Sequence, residues 1–218
     1  MDILYGIVQF IQNGGLFMYP ILIVFAFGVA IAIERYMAIT KAKHQNIEVW
    51  EQVQPMLEHG RFEEAQAYTE ESDTPIGKIL NLGLGRQASV RRRDDIEIAM
   101  EEGMMEVLPT LEKRTHYLAL FANISTLLGL LGTIMGLIAA FKAVAGANPA
   151  DKADLLSASI AVAMNTTAFG LIAGIPLLIL HAVIVTKTTE IVDNLEMAQV
   201  KTLNLFGEAC PVLAASRL

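Results

Sequence analysis

The sequence predicts an all-α integral membrane protein with three transmembrane helices and long helices that extend into a helical cytoplasmic region. Three observations carry the membrane fold. Of 218 residues, 54% are hydrophobic and only 18% are charged, with a mean hydropathy of +0.47, which is too apolar for one soluble domain. Three stretches, Leu16 to Ile33, Tyr117 to Val144 and Leu155 to Val185, are long enough for a hydrocarbon core that needs roughly 20 apolar residues. The last two carry glycines and isolated polar groups, which is how helices that pack against other helices are patterned.

Residues 1–15 form a short outer segment without Lys or Arg, and residues 16–34 are the first span. It reads as a retained anchor, because it starts only after residue 15 and no small-residue cleavage site follows. Of the 16 basic residues, 11 fall between Arg35 and Arg114, so the positive-inside rule makes residues 35–116 cytoplasmic and the N-terminus external. Within that region helices are expected over Ile47–His59, Arg61–Glu71 and Pro75–Ala88. They are separated by Gly60 and by Ser72-Asp73-Thr74-Pro75, where Ser or Asp can cap the next helix. Asp94 and Asp95 open a further helix whose acidic first turn suits the macrodipole. Pro109 is expected to kink it or mark a joint, with Thr110–Ala145 running on unbroken.

The second span covers residues 117–145, a short periplasmic linker residues 146–154, and the third span residues 155–186. Lys142 and Lys152 flank the linker against the rule, offset by Asp151 and Asp154. Residues 187–218 form a cytoplasmic amphipathic helix, with Ile191, Leu195, Ala198, Thr202 and Leu205 at helical spacing. The net charge of −7 argues against a nucleic-acid partner. Arg91-Arg92-Arg93 is followed at once by Asp94 and Asp95 and reads as a solvated face.

Enzymatic chemistry finds little support. Cys210 has no neighbouring cysteine, and His44, His59, His116 and His181 lack metal-binding spacing. No Walker loop, GxSxG or HExxH is present. The expectation is a non-enzyme with no cofactor and no resident metal.

What remains is the patterning inside the spans. LLGLLGTIMG (127–136) places Gly129, Gly132 and Gly136 beside Thr133, and the third span puts Asn165, Thr166 and Thr167 ahead of Gly170 and Gly174. The glycines are expected to set the approach of helices, within or between subunits. Asn123, Thr126, Leu130 and Thr133 share one helical face, whereas the consecutive Asn165, Thr166 and Thr167 cannot. A threonine can simply bond to its own helix, yet polar groups on two spans at comparable depth point to an ion pathway. No Asp or Glu lies inside the second or third span, and such acids are the usual carriers in proton or sodium sites. A partner helix is expected to bring the acid.

LLGLLGTIMGLIAAF (127–141) and IAVAMNTTAFGLIAGIP (160–176) resemble the MotA/TolQ/ExbB proton-channel family, specifically its three-helix ExbB/TolQ branch. The likeness in the order of segments extends over almost the whole chain. It implies a homo-oligomer, a pentamer, in the bacterial inner membrane, with the second and third helices lining a pore around an ExbD/TolR-like single-pass protein that carries an intramembrane Asp. It implies that proton flow energises a TonB-like or TolA-like protein spanning the periplasm. Thr133 and Thr167 match the family threonines that face the partner Asp. Two positions depart from the pattern. Val162 stands where many relatives have Glu, and Thr166 where the proton-coupled branch often has Ala. Adjacent threonines resemble sodium-driven stators, so transient sodium at Thr133, Thr166 and Thr167 is the alternative ion. A flagellar-type stator and a non-conducting envelope scaffold are the alternative functions.

Overall fold

A computed structural model describes residue 10, residues 14–87 and residues 93–209, and among these the chain is helical with no strand. The helices that lie wholly within the described residues are α1 (Met18–Glu58), α2 (Phe62–Glu70), α3 (Pro75–Gln87), α4 (Arg93–Glu112), α5 (Thr115–Ala145) and α6 (Lys152–Ala209). Three helical stretches, Met18–Glu58, Arg93–Ala145 and Lys152–Phe206, are long and apolar enough to cross a membrane. The expectations about residues 1–9, Arg91, Arg92, Cys210 and the end of the tail lie outside the described residues.

The expected segments change in three places. Ile47–His59 is no separate helix, because α1 continues from Met18 to Glu58 with no turn signal to stop it. The tail is likewise a continuation of the third span, since α6 runs unbroken from Lys152 to Ala209. Of the kink or joint expected at Pro109, the joint is not there: Pro109 lies inside α4, and the chain breaks at Arg114, which adopts a left-handed conformation with φ 63°. Pro109 is tolerated because it and Met105 are both exposed, so water can satisfy the carbonyl that the missing N–H leaves behind. Arg114 then starts α5 through a bond from the Tyr117 N–H to its carbonyl at 3.1 Å, and its guanidinium reaches Glu34 Oε2 at 3.4 Å.

The contacts divide the chain into two compact units, Met1–Arg35 with Arg114–Val183, and Tyr36–Lys113 with Ile184–Leu218. The first holds the apolar spans. Its buried positions are dominated by small residues, among them Ala122, Ser125, Gly129, Gly132 and Ala140 on α5, with Ala163, Thr166 and Ala173 on α6. Large side chains such as Leu127, Phe141, Met164 and Ile172 face outward. This distribution is the reverse of a soluble core, because lipid gives no reason to hide a leucine and close backbone approach needs small residues.

The second unit has a conventional apolar core. Ile76, Ile79, Leu80 and Leu84 of α3 are buried, as are Ile96, Met100, Val107 and Leu111 of α4 and Ile191, Leu195 and Phe206 of α6. Gly83 and Gly103 admit this packing: a Cβ on Gly83 would lie 2.6 Å from Met100 Cγ, and one on Gly103 2.9 Å from Leu82 Cδ1. Phe62 tilts against Phe206 with ring centroids 5.1 Å apart. The α3 terminus is capped by neither Ser72 nor Asp73. Thr74 Oγ1 accepts from the Gly77 N–H at 3.1 Å, and Asn46 Oδ1 of α1 accepts from the Ile76 N–H at 3.2 Å. Pro75, at the first helical position, has no N–H to satisfy. Asp73 instead pairs with Lys78 at 2.7 Å, a hydrogen bond that holds its carboxyl below the ordinary range. Replacing Thr74 by Ala should therefore lower stability by about 1 kcal/mol, while Thr74→Ser should leave it unchanged. Thermal unfolding of the detergent-solubilised protein measures both.

Candidate functional site

The candidate site is built on the antiparallel pair α5 and α6, joined by a short turn in which the Ala147 N–H bonds to Val144 O and the Asp151 N–H to Asn148 O. On α5, Ala122, Ser125, Gly129 and Gly132 are buried at three- and four-residue steps, with Ala140 eight residues further on, which is one face of a helix. That face meets α6. Gly129 lies against Gly170, where an added Cβ would be 3.2 Å from the Gly170 Cα. Gly132 lies against Thr166, whose methyl a Cβ would overlap, and Gly136 lies against Ala163, with a virtual contact of 2.7 Å. From the other side, a Cβ on Gly170 would be 2.7 Å from Ser125 O, and one on Gly174 would be 2.7 Å from Thr126 Oγ1. All five predicted packing glycines thus lie in one seam within a single subunit. Gly28 of α1 adds a similar approach, since its Cβ would stand 2.7 Å from Leu177 Cδ1.

The polar residues fall around this seam. Thr133 is half-buried, and its hydroxyl donates to Leu130 O at 2.6 Å. Thr167 is also half-buried and donates across the helix pair to Gly129 O at 2.9 Å. Thr126 is exposed and donates to Ala122 O at 3.1 Å. A carbonyl oxygen can only accept, so each hydroxyl has committed its single proton. The lone pairs of Thr133, Thr167 and Thr126 remain available to a donor or a cation. Asn123 is exposed and Asn165 half-buried, while Leu130, between Thr126 and Thr133 on the same face, is 53% exposed.

Thr166 is different. It is 2% exposed, and its one hydroxyl proton is shared between Gly14 O at 2.6 Å and Val162 O at 3.0 Å. Its methyl fills the space that Gly132 leaves. Thr166 therefore faces the seam and the approach to α1, whereas Thr167, the next residue, reaches Gly129. Val162 is 37% exposed and stands where a Cβ on Gly15 would meet it at 3.4 Å.

Sequence reasoning missed Ser125 and Gly14. Ser125 is fully buried and donates to Phe121 O at 2.8 Å, and its own carbonyl is the group closest to Gly170. The spacing of Ala122, Ser125 and Gly129 carried that signal, because small residues three and four apart mark a packing face. Gly14 acts through its carbonyl, for which no side-chain pattern exists. Among the described residues, no group of three or more His, Cys, Asp or Glu side chains is placed to hold a metal.

This pair of helices lies inside the region that other proteins share. The chain is 25% identical over 205 residues, 93% of its length and 71% of the relative's, to a protein of Methanothermobacter thermautotrophicus named as a biopolymer transport protein ExbB homolog. It is 40% identical over 78 residues, 36% of this chain and 34% of the relative, to the Tol-Pal system protein TolQ of Haemophilus influenzae. Over 59 residues, 27% of this chain and 26% of the relative, it is 48% identical to the biopolymer transport protein exbB1 of Vibrio cholerae. A family profile matches residues 71–197, which contain α4, α5 and the membrane part of α6. With three long apolar helices and this match over more than half its length, the chain is a multi-pass membrane protein that belongs to the MotA/TolQ/ExbB proton channel family.

Proposed function

We propose that the chain is the ring-forming subunit of an ion-driven motor in the bacterial inner membrane, with an external N-terminus and a cytoplasmic C-terminus. Five copies surround an ExbD/TolR-like single-pass partner whose intramembrane Asp carries the ion, and the motion is passed to a TonB-like or TolA-like protein. Lipid surrounds the ring. The observation that carries this reading is the state of the Thr133 and Thr167 hydroxyls. Each gives its proton to a backbone carbonyl, so toward any third group each oxygen is an acceptor. Such an oxygen suits a protonated carboxylic acid, which needs an acceptor, and the second and third spans contain no Asp or Glu of their own.

Proton coupling is favoured over sodium by the burial of Thr166. An ion ligand must present oxygen toward the ion, and Thr166, unlike the half-buried Thr133 and Thr167, is 2% exposed, its oxygen enclosed within the subunit beside Gly14 O and Val162 O. A proton moving along water to a partner carboxylate needs no cage of oxygens. Because three apolar helices span this chain, we place it in the ExbB/TolQ-like branch and keep the flagellar-type stator and the non-conducting scaffold as alternatives.

The deciding experiment reconstitutes the chain with its single-pass partner in liposomes and follows internal pH in sodium-free buffer. Proton uptake that exceeds that of protein-free liposomes under the same imposed gradient, and that disappears when the partner's intramembrane Asp becomes Asn, is the expected result. Uptake only with sodium would establish the alternative ion, and no ion movement under either gradient would leave the scaffold.

A further inference from the structure

The threonines of the candidate site return their protons to backbone carbonyls, but Asn123 does not. Its side chain is exposed on α5 and bonds to no other described residue. An amide carries two N–H donors and a carbonyl acceptor, so Asn123 presents a full set of unanswered hydrogen-bonding groups. It does so inside the apolar span. The ion pair of Arg114 with Glu34, at 3.4 Å, is a polar mark at the start of α5. Asn123 lies nine residues beyond Arg114, about 13 Å along the helix at 1.5 Å per residue. That is deeper than the polar layer of a bilayer, which is roughly 5–8 Å thick on each side. An amide left against hydrocarbon there is costly, so this face of α5 is covered by something that can hydrogen-bond.

The flanks of a second copy offer no such group. At the depth of Asn123, Gly174 meets Ala122 O, which a Cβ would approach to 3.0 Å, and Gly28 meets Leu177. Around those points, residues 168–180 of α6 and 20–33 of α1 contain no hydrogen-bonding side chain. The nearest amide on α6, Asn165, is nine residues from Gly174, about 13 Å off in depth. Asn123, Thr126 and Thr133 instead form one stripe of α5, at steps of three and seven residues, with the exposed Leu130 between them. Whatever meets Thr133 also runs past Asn123.

We propose that Asn123 is a second recognition point for the single-pass partner helix, and that the partner carries a hydrogen-bonding side chain, Ser, Thr, Asn or Gln, about ten residues to the cytoplasmic side of its intramembrane acid. The inference rests on the proposed acid-bearing partner and specifies its sequence. Thr133 and Asn123 are ten residues apart, about 15 Å along the axis. With the acid at the Thr133 and Thr167 oxygens, a helix lying along α5 advances by the same rise per residue, so the same number of residues separates the two contacts on either chain. The exposed Leu130 suits an apolar turn of the partner between them. The two points differ in chemistry, since the threonine oxygens accept whereas the amide both donates and accepts. Together they fix the partner's register, because a slip of one helical turn, about 5.4 Å, leaves both unmatched.

The test uses the full-length chain with Cys210→Ala, assembled in membranes with a cysteine-free form of its single-pass partner and treated with an oxidant that forms disulfides. Asn123→Cys is combined with single cysteines scanned along the partner from its Asp toward the cytoplasm. The expected result is a maximum of disulfide formation about ten residues from the Asp, whereas Thr133→Cys links beside the Asp. Asn123→Leu should lower the amount of partner that copurifies by about fivefold or more, the worth of one net hydrogen bond, with the ring intact by native mass spectrometry. Asn123→Gln keeps the amide and should restore most of the partner. Links from Thr133→Cys with none from Asn123→Cys, or full retention of the partner by Asn123→Leu, would overturn this contact and leave the acid-bearing partner standing. Disulfides formed only between two Asn123→Cys copies would overturn it by assigning the face to a second copy. No link to the partner from either position would overturn the partner as well.

Discussion

Gly170→Ala should destabilise the membrane unit more than any other single methyl addition in the seam. The new Cβ would sit 2.7 Å from Ser125 O and 2.9 Å from the Gly129 Cα. Both obstacles are backbone, so no side chain can rotate aside and α5 must move from α6. Overpacking of this kind costs about 2–3 kcal/mol, and in a chain of this size that corresponds to a fall in Tm of about 5–10 °C. The same separation would stretch the bond from Thr167 to Gly129 O, so ion transfer should fall along with stability. Gly146 supplies the control. Its φ is −99°, a conformation open to any residue, and a Cβ there meets nothing within 4 Å, so Gly146→Ala should leave Tm unchanged within about 0.5 kcal/mol. Thermal scanning and native mass spectrometry of both variants in one detergent decide the matter. A Gly170→Ala protein as stable as Gly146→Ala would mean that the seam is loose enough to absorb a methyl group.

The helices were legible in the sequence because apolar length and glycine spacing are properties of one segment. What those glycines face was not. Spacing assigns Gly129, Gly132 and Gly136 to one side of a helix, but a helical face carries no information about its neighbour, which here is α6 of the same chain. The joint after α4 was misplaced for a related reason. Pro109 removes one main-chain bond without ending the helix, because exposure of the α4 face lets water take that bond's place. Arg114, in contrast, has no composition signal for its left-handed conformation. The capping of α3 by Asn46 is equally invisible, since the two residues are 30 positions apart. For the candidate ion pathway, only the residue types and their order along each helix can be read directly. The division of labour between Thr166 and Thr167 depends on which carbonyl each hydroxyl reaches, and that requires the packed pair.

Thr133→Val and Thr167→Val should each reduce coupled ion transfer at least tenfold while leaving the fold close to wild type. Valine matches threonine in shape and replaces the hydroxyl by a methyl group. The structural cost is small, about 1 kcal/mol for the lost bond, because Leu130 O and Gly129 O, which accept from these hydroxyls, lie inside a helix that supplies their main-chain partners. The functional cost is larger. A hydrogen bond to a charged or proton-carrying group is worth about 1.5–3 kcal/mol, and each 1.4 kcal/mol added to a barrier slows passage about tenfold. Threonine to serine at either position retains the oxygen and should restore most of the transfer, which separates loss of an acceptor from loss of packing. Thr166→Val should behave in the opposite way. Its hydroxyl ties α6 to Gly14 O, so stability should drop while sodium-free proton uptake per folded ring is preserved. Proton uptake in liposomes, normalised to the amount of ring measured by native mass spectrometry, distinguishes the two patterns. If Thr133→Val and Thr167→Val transfer protons at the wild-type rate, their hydroxyls serve only the carbonyls they already touch, and the pathway must run past other groups.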